Sequence, residues 1–70
     1  MDKVAQTKKI LDWLKAGHSI TPIEALQKFG CMRLSGRIYD IRRMGYTIVT
    51  DYERSENARY ARYWLETETA

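Results

Sequence analysis

The chain has little of what usually carries chemistry or covalent bracing. Its 70 residues include one cysteine, one histidine, one proline and one phenylalanine. The lone Cys31 excludes an internal disulfide and fits a reducing cytoplasm. With His18 it makes two soft donors, where a zinc site needs about four. No base stands near Cys31 in the sequence to activate it, so it reads as a buried or turn thiol. There is no glycine-rich phosphate loop. The carboxylates show no spacing suited to paired acid/base work or to a two-metal centre. These absences point to no enzyme, no metal, no cofactor and no small-molecule substrate. No apolar run is long enough to cross a membrane. The opening Met1-Asp2-Lys3-Val4 lacks a signal-peptide core.

What is present suits one small domain over residues 1–70, with an ordered core over about residues 4–66. A chain of this size buries only about 60% of its unfolded surface, so its stability should be modest. Hydrophobic residues make up 44%, enough for one compact core. The formal charge of +3 is mild, but its layout is uneven. The lysines end at Lys28, and the arginines all lie between Arg33 and Arg62. Arginine is the better fork for phosphates and guanine edges, whereas early, scattered lysines read as solvated surface.

Punctuation at Gly17, Thr21-Pro22, Gly30, Gly45 and 55–57 divides the chain into three helices and a hairpin. The spacing predicts a first helix over Val4 to Ala16, with Ile10, Trp13 and Leu14 facing the core. His18-Ser19-Ile20 is too short for a helix and reads as a brief strand whose Ile20 plugs the core. Thr21-Pro22-Ile23-Glu24 has the form of a capping box with proline at the first helical position. It opens a second helix to Phe29, expected to bury Ile23, Leu26 and Phe29, with Ala25 small enough for close packing. The turn Gly30-Cys31-Met32 has the length that joins the two helices of a helix-turn-helix. The third helix is expected over Arg33 to Met44, with Leu34, Ile38 and Ile41 inside. Met32 and Met44 should fill gaps beside it, and Tyr39 should pack at the core rim, with stacking on a sugar or base as its alternative. Tyr46 to Tyr52 is rich in β-branched and aromatic residues and reads as a strand, with Arg59 to Glu66 returning. Tyr46, Tyr52, Tyr60 and Trp64 are expected to make cross-strand pairs.

Three helices followed by a basic hairpin give an α+β fold, a winged helix-turn-helix in which a three-helix bundle precedes a β-hairpin wing. Such a fold binds duplex DNA with a convex helix in the major groove and cations around it. Arg33, Ser35 and Arg37 are the candidates to face the groove. Gly36 permits close backbone approach, and Arg42 and Arg43 are placed to meet phosphates. Arg54, Arg59 and Arg62 put cations on the hairpin, where a wing touches backbone or minor groove. Asn57 at the tip is first a turn residue. Taken singly, any of these arginines is as well read as solvated surface; their joint gathering on third helix and hairpin is the stronger signal.

The stretch from Arg33-Leu34-Ser35-Gly36-Arg37-Ile38 through Tyr39-Asp40-Ile41-Arg42-Arg43 to Met44-Gly45-Tyr46 is similar to small winged helix-turn-helix domains common in bacteriophage and prophage proteins. The resemblance runs on over about Thr7 to Leu65. It implies a DNA-binding role with the third helix as reader, and so a contact role for Arg33, Ser35, Arg37 and Arg43. It also implies a regulator of transcription or an accessory factor of recombination and excision, working on DNA in a bacterial cytoplasm. One recognition helix reads little sequence, so a homodimer or tandem binding on DNA is expected. The alternative is a winged helix that inhibits a host protein complex, such as a defence nuclease or a polymerase. Exposed tyrosines and the acidic C-terminal tail would then carry the contact.

Overall fold

The computed structural model describes residues 3–54 and 58–66. The expected hairpin tip, including Asn57, and the end of the acidic tail lie outside the described residues. The order is α1 (Lys3–Lys15), α2 (Pro22–Phe29), α3 (Leu34–Arg43), β1 (Ile48–Arg54) and β2 (Arg59–Leu65). The winged helix-turn-helix architecture is therefore present as read from the sequence.

Local chemistry sets the boundaries. Gly17 ends the run after α1 with φ +95, a region that L side chains rarely enter. Thr21 caps α2: its hydroxyl accepts from the Glu24 amide at 3.3 Å, and its own amide donates to Glu24 Oε1 at 3.1 Å. Both halves of the capping box are thus made, with Pro22 at the first helical turn. Gly30 closes α2 in the left-handed conformation, its amide donating to Leu26 at 3.0 Å. Cys31 then donates to the Ala25 carbonyl at 3.1 Å, which turns the chain sharply towards α3.

The core lies between the helices and the base of the ribbon. Ile10, Leu11 and Leu14 of α1 meet Ala25, Cys31, Leu34, Ile38, Ile41, Ile20 and Ile48. Each large aliphatic side chain buried here contributes roughly 1.5–3 kcal/mol of transfer free energy. Ile20 is fully buried and forms a two-bond antiparallel bridge with Tyr63, each amide 2.9 Å from the other's carbonyl. Its side chain plugs the core, as its position in the sequence suggests, and β2 is flanked on both sides.

Several expectations about packing need correction. In α2 the buried residue is Ala25, with Phe29 half-buried, whereas Ile23 and Leu26 face solvent. The stripe Thr21–Ala25–Phe29, spaced four residues apart, is the inner one, and the small Ala25 allows close approach. Met32 is 88% exposed and Met44 is also exposed, so neither fills a gap beside α3. Tyr39 stands in solvent rather than at the core rim. Trp13 is half-buried at the edge, where its Nε1 donates to the Ser19 carbonyl at 3.0 Å and its ring stacks on His18. Helix α3 begins at Leu34, with Arg33 as its N-cap residue. The aromatics of the ribbon do not oppose one another: Tyr52 faces Ala61, Tyr60 faces Glu53 and Trp64 faces Val49, while Tyr46 precedes β1. Aliphatic, small and charged residues fill the facing positions instead.

Candidate nucleic-acid interface

Helical spacing sorts the residues of α3. Leu34, Ile38 and Ile41 are buried. The opposite stripe is Gly36, Tyr39 and Arg43, at i, i+3 and i+7. Ser35 and Arg42 lie on one flank and Arg37 on the other. Arg33, at the N-cap, is exposed, and its side chain makes no capping hydrogen bond.

Of the arginine candidates on α3, Arg37 is the least available. Its Nε stands 3.3 Å from Asp40 Oδ2 and its side chain is only 16% exposed. Arg42 has a structural bond: Nη2 donates to the Ile48 carbonyl and to Thr50 Oγ1, both at 2.9 Å. This fastens the helix to β1. Arg43 lies over the Tyr39 ring, 5.8 Å from its centroid.

Strand register sorts the hairpin in the same way. Directly opposed residues share a face. One face therefore holds Ile48, Thr50, Tyr52 and Arg54 opposite Leu65, Tyr63, Ala61 and Arg59. Ile48 is buried in the core, and Tyr63 and Leu65 pack against it, so this face looks towards the helices. Past the core it continues outward as Tyr52, Arg54 and Arg59. The Arg42–Thr50 bond joins α3 to this same face. Arg59 lies over the Tyr52 ring at 4.7 Å, and Arg54 and Arg59 are directly opposed. Two cations across one rung repel each other, so an anion between them would relieve a cost.

Arg62 belongs to the other face. It pairs with Glu53 across the strands, donates to Ser19 Oγ at 2.8 Å and approaches Glu24 at 3.6 Å. The hydrogen bond with Glu53 holds its pKa above the ordinary guanidinium value. Its charge is thus balanced at the back of the ribbon, next to the cap of α2. Sequence reasoning groups Arg62 with Arg54 and Arg59, but residues 59 and 62 differ in strand parity.

On α3 the exposed candidates are Arg33, Ser35, Tyr39, Arg42 and Arg43, and the Arg42–Thr50 bond joins that helix to the hairpin face that carries Tyr52, Arg54 and Arg59. Among the described residues no carboxylate pairs with Arg33, Arg42, Arg43, Arg54 or Arg59. Tyr39, Thr50 and Tyr52 are the members that sequence reasoning left outside the interface. The alternation of the strand is the signal for Thr50 and Tyr52, once the register is known. No cluster of residues suited to a metal ion occurs among the described residues, and no helix is long and apolar enough to cross a membrane.

No curated protein and no solved structure matches the chain. A family model described as a winged helix-turn-helix domain does match, over residues 5–68. With three helices, a turn of helix-turn-helix length and a basic two-stranded wing in the matching order, the chain belongs to the winged helix-turn-helix domain family, a DNA-binding and generally non-enzymatic type of domain.

Proposed function

We propose that this protein binds duplex DNA, seating α3 in the major groove and laying the Tyr52–Arg54–Arg59 side of the hairpin along the flanking backbone. The observation that carries the reading is that Arg33 and Arg43 on α3, and Arg54 and Arg59 on the hairpin face to which Arg42 fastens that helix, stand exposed without carboxylate partners among the described residues. In this reading Arg33 and Ser35 meet base edges or the first phosphate at the start of α3. Arg43, Arg54 and Arg59 meet phosphates. Arg42 positions the helix against the strand while keeping its charge near the backbone, and Arg37 supports the flank through Asp40. Arg62 supports the hairpin from behind. The role that fits is a small regulator of transcription or an accessory factor of recombination and excision, of the kind found in phages and prophages. It would act by occupying or bending a site, as a dimer or in tandem copies.

The test is affinity for a random-sequence duplex followed by fluorescence anisotropy across a salt series. Log affinity should fall with log salt at about 0.9 per phosphate neutralised. Arg59→Ala should flatten that slope by about one contact. Arg62→Gln should leave it unchanged, because that guanidinium is already balanced by Glu53 and Glu24. A slope near zero for the wild type would overturn the reading. It would favour the second one, a winged helix that grips a host polypeptide, for which the exposed Ile23 and Leu26 on α2 speak.

A further inference from the structure

The reading face of α3 is short of hydrogen-bonding forks at its centre. Arg37 is held against Asp40, Arg42 is bonded to β1, and Arg43 lies against the Tyr39 ring. The outward stripe instead presents Gly36, which has no side chain, and Tyr39, which is 59% exposed. A methyl placed on Gly36 would meet nothing within 4 Å, so an open slot lies one turn before the tyrosine ring. Just ahead of the helix, Met32 projects into solvent, 88% exposed. Neither apolar side chain belongs to the core; Arg43 lies over the Tyr39 ring, and Arg33 follows Met32 in the chain.

A polyanion fits these cationic neighbours better than an apolar peptide would. Within the major groove of a duplex, the apolar feature on a base edge is the 5-methyl group of thymine. We propose that Tyr39 and Met32 read thymine methyl groups, so that the preferred duplex is rich in A·T pairs beneath α3. Specificity then comes from fit to methyl groups more than from arginine forks on guanine. Gly36 allows the helix backbone to approach closely enough for these contacts. This inference rests on the duplex-binding reading above.

The experiment begins with selection of bound sites from a random duplex pool. The selected duplex is then synthesised twice, once with thymine and once with uracil, which lacks only the methyl group. Wild-type protein should bind the uracil duplex more weakly, by about fourfold for each thymine methyl that the protein covers. In Met32→Ala and Tyr39→Ala that penalty should shrink or vanish. Both side chains are exposed, so both variants should keep the wild-type melting curve, which is recorded alongside. Equal wild-type affinity for the two duplexes would overturn the inference while leaving duplex binding in place. So would a selected site centred on G·C pairs. Salt-insensitive binding, or none, would remove the underlying duplex reading as well.

Discussion

Gly36 lies inside α3 without the positive φ found at Gly17, Gly30 and Gly45. A methyl group built on it meets no atom within 4 Å. The fold therefore gives no steric reason for glycine there, and glycine inside a helix is unfavourable relative to alanine by about 0.5–1 kcal/mol. Gly36→Ala should stabilise the free protein by that amount, raising the melting temperature by about 4–8 °C at the upper end. Thermal unfolding followed by far-ultraviolet circular dichroism reads this directly. Gly30→Ala is the contrasting control. Its φ of +64 forces alanine into the left-handed region, at a cost of roughly 1–2 kcal/mol. The same Gly36→Ala protein, though more stable, should bind the selected duplex several-fold more weakly, since a methyl would stand where the helix backbone meets the groove. A lower melting temperature for Gly36→Ala would refute the packing argument. Unchanged duplex affinity would refute the close approach.

Two further perturbations test the fold. Thr21→Ala removes the hydroxyl that accepts from the Glu24 amide and should cost about 1 kcal/mol, read as a lower denaturant midpoint with an unchanged slope. Ile10→Ala empties a site with no solvent exposure between the helices. It should cost about 2–5 kcal/mol, enough in so small a domain for chemical denaturation to show a populated unfolded state near room temperature.

Most of the architecture can be read from local chemistry. The capping box at Thr21 and Glu24, the glycine stops and the Leu34–Ile38–Ile41 stripe each act over a few residues. A reading along the chain therefore finds them. Ile20 is legible because an isolated aliphatic between two helices has few other uses. The phase of α2 is not. In a helix of 8 residues two stripes compete, and the larger side chains of Ile23 and Leu26 suggest burial although only the close-packing Ala25 is buried. Only packing against α1 decides between them, and a small residue wins where backbones come close. The partners of Arg62 are hidden for a different reason. Ser19 lies 43 positions away along the chain, and nothing local announces that contact. The exposure of Tyr39 and Met32 is illegible because a large apolar side chain suggests burial whether or not the fold has room for it.

The hairpin is gripped from two directions, by Arg42 on the helix side and by Arg62 behind. A free ribbon of two strands in water is barely stable and would sample many tilts. Pinned at front and rear, this one keeps its angle to the third helix before any ligand arrives. On the duplex-binding reading, less motion then has to be frozen on association. For duplex binding by a domain this small, such advance bracing is a cheaper route to affinity than a wider footprint.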